Sequence, residues 1–333
     1  YSIYYLTGNL ISPGERLLAL FIDSDRNVNL LVNELFPQKE NPLFETRYYN
    51  DVDDGVEILS KFVGDGEIIG IDKKWPSQFL LRLQEIFPDK KYINISPLVD
   101  KIRQIKDKEE IEIMKESSAI NDRVMSELVP LVSKGLNEKE LSEKVRELYE
   151  KHGVYEFSFD PITAYGKNGA DPHHETDSSL GKVGDSVVLD IGGIYKGYAS
   201  DMTRTVFIKE ASEKQKEVYE IVKEANLRGI AAAKAGNKMS DVDKACRDYI
   251  EEKGYGKYFT HRTGHSIGLE AHEAGDVSSA NDEIIEVGQV FSVEPGIYLP
   301  DLGFGVRIED MVLITEDGCE VLNNYSKDLS LIG

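Results

Sequence analysis

A carboxylate interrupts the apolar run Val187-Val188-Leu189-Asp190-Ile191, where a lone ionised group is costly to desolvate. A glycine-rich turn, Gly192-Gly193-Ile194-Tyr195-Lys196-Gly197-Tyr198, leads into Ala199-Ser200-Asp201-Met202-Thr203. Centring that turn between Tyr195 and Lys196 makes Asp190 and Asp201 cross-strand partners. Directly opposed side chains lie about 4.5–5.5 Å apart at Cβ, and like charges there repel. A shared cation relieves both the burial and the repulsion. Further on, Val293-Glu294-Pro295-Gly296 closes an apolar strand with an acid, and Gly305-Val306-Arg307-Ile308-Glu309-Asp310-Met311-Val312 sets Glu309 inside another. His261-Arg262-Thr263-Gly264-His265 adds imidazoles beside glycine. One histidine among several carboxylates is an oxygen-rich donor set. It suits two hard or borderline dications such as Mn²⁺ better than a closed structural zinc site.

Periodicity indicates the elements that must position these residues. Strands at 17–22, 28–32, 68–71 and 92–95, with helices at 52–62 and 76–87, give an α/β pattern up to about residue 101. Helices follow at 107–128, 137–151, 213–235 and 239–253, with Asn137 and Ser240 as N-caps. Strands at 186–191, 203–208, 290–294 and 305–314 lie between and after them. The second half therefore reads as α+β, with helices flanking a largely antiparallel sheet. The boundary is expected near 101–108, giving a smaller domain over 1–104 and a larger one over 105–333. The opening Tyr1-Ser2-Ile3-Tyr4-Tyr5-Leu6 reads like the middle of a domain, which suggests a truncated start.

Composition narrows the function classes. At 333 residues and 41% apolar, the chain can build two ordinary cores. Its net charge of −21 argues against nucleic acid as a partner, because phosphate binding needs a basic surface. The two cysteines, Cys246 and Cys319, form no CxxC pair and read as buried small hydrophobes in a reducing cytosol. No apolar run approaches the roughly 18 residues of a membrane span, and no signal peptide is visible. Gly64-Asp65-Gly66-Glu67-Ile68-Ile69-Gly70 precedes a strand instead of following one, so it reads as a turn and not as a dinucleotide loop.

Asp190, Asp201, His265, Glu294 and Glu309, in that order and those settings, resemble the five metal ligands of the pita-bread metallopeptidases. That family includes methionine aminopeptidase, aminopeptidase P and prolidase. The strings that carry the resemblance are Leu189-Asp190-Ile191-Gly192-Gly193, Ser200-Asp201-Met202-Thr203-Arg204-Thr205, His261-Arg262-Thr263-Gly264-His265-Ser266-Ile267-Gly268-Leu269 and Val293-Glu294-Pro295-Gly296-Ile297-Tyr298. The resemblance covers about 108–330, and the preceding part resembles the creatinase-type domain of aminopeptidase P and prolidase. It implies an α/β N-terminal domain followed by a pita-bread catalytic domain.

It also implies roles. Asp190 would chelate one metal, Asp201 and Glu309 would bridge both, and His265 and Glu294 would complete the other. A metal-bridging hydroxide would attack the scissile carbonyl, with Glu294 shuttling the proton. His173, in Asn168-Gly169-Ala170-Asp171-Pro172-His173, together with His261 and His272, matches histidines that line the substrate pocket of the proline-specific branch and stabilise the tetrahedral intermediate. Arg307 would support Glu309 or another nearby acid. The sequence departs from the family at His174, where many relatives carry glycine or tyrosine, and at Ser266, where glycine is common. His174 and His152 read as structural.

The implied activity is hydrolysis of the Xaa-Pro bond at the N-terminus of peptides. The reading leans to an aminopeptidase on longer chains over a dipeptidase. It implies Mn²⁺, with Co²⁺ or Zn²⁺ as alternatives, peptides with proline at the second position, a homodimer and a cytoplasmic setting. A metal-free, creatinase-like amidinohydrolase or a non-catalytic binding protein is the reading from another class, and such relatives typically lose ligands.

Overall fold

In the computed structural model, which describes residues 1–333, the chain divides into two units, Tyr1–Arg103 and Gln104–Gly333. The first is a small α/β body. Its Val28–Asn33 strand lies antiparallel to Ala19–Ile22 and parallel to Glu45–Tyr49, and a second parallel pair joins Ile68–Ile71 to Lys91–Asn94. Leu17, Leu31, Tyr49, Val56, Leu59, Ile69 and Leu83 form its core. The helix expected over 52–62 is shorter, Gly55–Ser60, because the Asp54 carboxylate caps the amides of Val56 and Glu57. The Glu45–Tyr49 strand escapes periodicity because three of its five residues are polar or charged. The opening segment, read as mid-domain, forms the short helix Ser2–Thr7.

The second unit is α+β. Two helix pairs cover its sheets. Lys108–Leu128 and Glu138–Lys151 start in capping boxes, Asp107 with Glu110 and Asn137 with Glu140. They bury Val124, Met125, Leu128, Leu141 and Val145 against Val187, Leu189, Ile191 and Val206. Glu213–Ala232 and Met239–Glu252 bury Val218, Val222, Ala225, Val242, Cys246 and Ile250 against Phe291, Val293 and Val312. Ser240 does not cap the last helix as expected. Asp241 accepts from the Lys238 amide at 2.9 Å instead, and the Ser240 hydroxyl turns to Asp282.

The first sheet runs Ile162–Tyr165, Ser186–Ile191, Met202–Ile208, Leu331–Ile332, antiparallel except for the last pair. Within Ser186–Ile191 the side chains of Val187, Leu189 and Ile191 join the helix-covered core. Alternation therefore sends Asp190 to the opposite face. The cross-strand pairing of Asp190 with Asp201 is corrected by the register: Asp190 opposes Thr203. The turn centres on Lys196 and Gly197, whose φ values of +49° and +87° are those of a tight hairpin turn. The slip is two residues, so Asp201 keeps the face of Asp190 and becomes its diagonal neighbour.

The strand expected at 305–314 is two strands, Phe304–Arg307 and Asp310–Thr315, broken at Ile308 and Glu309. Their partners are likewise broken, into Val290–Val293 and Gly296–Leu299, with Glu294 and Pro295 between. Val293 opposes Asp310 and Gly296 opposes Arg307. Carrying that register across the gap sets Glu294 opposite Glu309. Pro295 lacks an N–H for the ladder, which helps to open the gap where the two acids sit.

Candidate functional site

Two strand regions of this unit, one around Asp190 and Asp201 and one around Glu294 and Glu309, thus bring two carboxylates each to one place, and His265 enters from the short Gly264–His265 strand. A Cβ on Gly264 would lie 1.9 Å from the Ser292 carbonyl oxygen. Only glycine lets that strand close on Val290–Val293. Oxygen or nitrogen atoms of Asp201, His265 and Glu309 lie within 4.8 Å of one another. His265 Nε2 is 3.6 Å from Asp201 Oδ2 and 3.5 Å from Glu294 Oε1, too long for strong direct hydrogen bonds. Ligand distances near 2.0–2.2 Å would fit a cation into that spacing.

Three acceptors test the fit. Asp190 Oδ1, Asp201 Oδ1 and Glu309 Oε1 are buried and accept no hydrogen bond. Buried acceptors are nearly always satisfied, so three orphans at one point mark a place built for positive charge. Electrostatics agree. Burial raises the carboxyl groups of Asp201 and Glu309 well above the usual range, and nearby carboxylates add to the rise. Glu294 is pushed up to about 8, mainly by burial, with Arg307 opposing and Asp190 adding to it. His265 is pulled down to about 3 by burial and by His272, so its ring is neutral and can offer a lone pair. The donor set suits divalent metal.

Around these groups runs a chain of polar side chains. Arg307 donates to Asp190 Oδ2 at 2.6 Å, to Tyr298 at 3.0 Å and to Thr203 Oγ1 at 3.1 Å. Thr203 in turn donates to Glu309 Oε2 at 2.7 Å. Arg307 therefore grips Asp190 directly and reaches Glu309 through Thr203. Arg204, buried against Asp310 at 2.8 Å, also holds the carbonyls of Thr203 and Glu309. Asn323 ties the Asp201 carbonyl to the Met311 amide. Sequence reasoning assigned no role to Thr203, Arg204, Tyr298, Asp310 or Asn323. The first four lie inside the quoted strings or beside the expected ligands, but their partners are distant in sequence.

The three further histidines differ among themselves. His272 stands edge-to-face on His265, with ring centres 4.2 Å apart. His173 is exposed, and a charge on it would be felt by both His261 and His272. His261 is already engaged at both nitrogens. Tyr298, its phenol pushed up to about 12 chiefly by burial, accepts from Arg307 and so gives its own proton to His261 Nε2 at 2.8 Å. Nδ1 then carries the ring proton and donates to the Arg262 carbonyl at 2.7 Å. His261 is thus the end of a chain from Arg307. The loop that carries it is held from behind by Asp243, which binds Thr263 and Arg247, while Arg247 holds the His261 carbonyl. His152 sits at a helix end and pairs with Glu127 at 2.9 Å. His174 pairs with buried Glu138 at 2.7 Å.

The chain matches the model of metallopeptidase family M24 over residues 112–316 and that of the creatinase/prolidase N-terminal domain over 1–105. It is 36% identical over 330 residues to an Xaa-Pro dipeptidase of Pyrococcus furiosus, covering 98% of this chain and 92% of the relative. A solved prolidase from Thermococcus sibiricus superposes with a TM-score of 0.92 at 35% identity, covering 100% of this chain and 92% of that one. An X-Pro aminopeptidase from Thermotoga maritima superposes at 0.85 with 34% identity, over 99% and 94%. The α+β unit is thus a pita-bread catalytic domain that follows a creatinase-type α/β domain in the sequence. The chain belongs to metallopeptidase family M24.

Proposed function

We propose that this protein is an Xaa-Pro dipeptidase, a dinuclear metallo-exopeptidase that cleaves the bond before a C-terminal proline. The observation that carries the reading is the trio of orphaned, buried carboxylate oxygens beside a neutral His265. Asp190, Asp201, His265, Glu294 and Glu309 would hold two divalent ions, most simply Mn²⁺, with Asp201 and Glu309 shared between them. When bound, such ions supply Lewis acidity and a water of lowered pKa. Glu294, the most accessible of the four acids at 16% side-chain exposure, is the group suited to take and return a proton. Arg307 keeps Asp190 oriented, and with Tyr298 it fixes His261 in one tautomer. His173 and His272 are exposed and free to meet substrate, so they are read as the groups that hydrogen-bond the peptide.

The sequence reading leaned to an aminopeptidase. The dipeptidase now leads because the Pyrococcus furiosus relative is an Xaa-Pro dipeptidase and the Thermococcus sibiricus structure a prolidase. The Thermotoga maritima neighbour, an X-Pro aminopeptidase, supports the second reading. Free thiols at Cys246 and Cys319 suit a reducing cytoplasm. No helix is long and apolar enough to cross a membrane. A homodimer is the assembly proposed with this function. Matched Xaa-Pro and Xaa-Pro-Yaa peptides, assayed with Mn²⁺, Co²⁺ or Zn²⁺, test the reading. Turnover of the dipeptide, abolished by chelation, is expected. Cleavage confined to the longer peptide would assign an aminopeptidase, and full activity without metal would overturn the site.

A further inference from the structure

We propose that Glu138 and His174 are positioning residues that aim His173 at substrate. This rests on the reading of His173 as a group that meets the peptide.

Glu138 is the first residue of the Glu138–Lys151 helix and is fully buried. Its carboxylate accepts four hydrogen bonds. Oε1 takes the Tyr165 amide and Asn168 Nδ2, both at 2.9 Å. Oε2 takes His174 Nε2 at 2.7 Å and the Asp177 amide at 2.9 Å. These donors come from the start, the middle and the end of one segment, 165–177. The backbone repeats the clamp, since the amides of Glu138 and Lys139 donate to the carbonyls of Ser179 and Asp177. His173 is the neighbour of the His174 anchor, and its own amide is turned in to Asp171 Oδ1 at 3.0 Å.

The geometry separates this cluster from a metal centre. Glu138, His174 and Asp177 have metal-ligand spacing. Every lone pair of Glu138 is nevertheless already taken, so no acceptor is left for a cation. Because an acceptor-only carboxylate faces Nε2, that nitrogen carries the His174 proton, and one donor fixes the side chain beside His173. An exposed loop with a single functional side chain gains from such a hold. A misplacement of about 1 Å costs on the order of 100-fold in rate.

A double-mutant cycle on the metal-loaded enzyme tests this. His173→Ala, His174→Ala, the pair, and His174→Gln are assayed on an Xaa-Pro dipeptide, with bound metal and thermal midpoint measured for each. His174→Ala is expected to lower kcat by about 10- to 100-fold with two metals retained. It should have little further effect in the His173→Ala background. His174→Gln, which keeps an N–H donor, should recover most of kcat. Independent, multiplying losses from the two histidines would overturn the proposal, and so would wild-type kcat in His174→Ala. If His174→Ala does not fold, Glu138→Asp replaces it in the same cycle and is read by the same criteria. Full activity in His173→Ala would instead sink the role given to His173.

Discussion

Two histidine–carboxylate clusters in one unit look alike by residue type and differ in who answers their acceptors. In the first, Asp201, His265 and Glu309 meet with orphaned oxygens and strongly raised carboxyl pKa values. In the second, Glu138 beside His174 and Asp177 has four donors for its two oxygens. Strand gaps and a two-residue diagonal bring acid against acid in the first. A helix start and a folded-back loop bring amides to acid in the second. Ligand-like spacing is shared, so the supply of N–H groups decides between them. Where the backbone supplies donors the cluster holds structure together, and where it withholds them the cluster keeps acceptors that a cation could meet.

The sharpest break between the clusters is metal stoichiometry. Titration with Mn²⁺ should load two ions per chain, none of them at Glu138. Asp201→Asn should lose metal and more activity than the roughly 100-fold that follows loss of an outer-shell partner. Two retained ions with near-full turnover would remove Asp201 from the shared position. A third ion that disappears in Glu138→Gln would erase the distinction between the clusters.

Stability of the chelated protein should divide them next. Glu138→Gln leaves an amide where two of four donors lose their acceptor. Leaving buried groups unsatisfied costs about 1–3 kcal/mol. Glu309→Gln removes a carboxyl that burial, Glu294 and Asp190 hinder from ionising, and it can still accept from Thr203. It should raise the midpoint of the metal-free protein. Thermal unfolding of both variants near pH 8, where a repelled carboxylate weighs most, reads the two signs. Equal losses in both would mean that the orphaned oxygens carry no penalty.

What was legible in the sequence follows the same division. The Ser186–Ile191 strand and the burial of Asp190 could be read because the apolar run around it is local. The register could not, since a turn misplaced by one position moves every pair. The Lys196-Gly197 positive-φ turn carried the missing signal, and a slip of two preserved the face. Tyr298, Thr203 and Arg204 stayed silent because their partners lie up to about a hundred residues away and no short spacing records them. Glu138 reads as an ordinary acid in a first helical turn. Only the folded loop shows that its charge is directed inward.

The smallest expected effect concerns pH, and it tests whether orphaned acceptors really burden the metal-free fold. Glu294 rises from an ordinary 4.5 to about 8, and Asp201 and Glu309 rise with it. Between those values the folded state holds protons that the unfolded chain has released, so stability falls as pH climbs. His265 and His261 act in the opposite sense, because burial lowers them from 6.5 to about 3 and about 4. The unfolded chain protonates both histidines as pH drops below that ordinary value, which costs the folded state stability on the acid side. From about pH 7 upward the imidazoles are neutral in both states and the carboxyls lead the slope, with the buried Cys246 thiol, raised by burial, adding to it in the same sense. Chelated protein should therefore lose thermal midpoint from pH 7 to 8. Saturating Mn²⁺ should flatten the decline, since cations then take the place of protons. Glu309→Gln should make it shallower without metal. A midpoint that stays level over that interval in chelated wild type would mean the acids are not set against one another as their positions require.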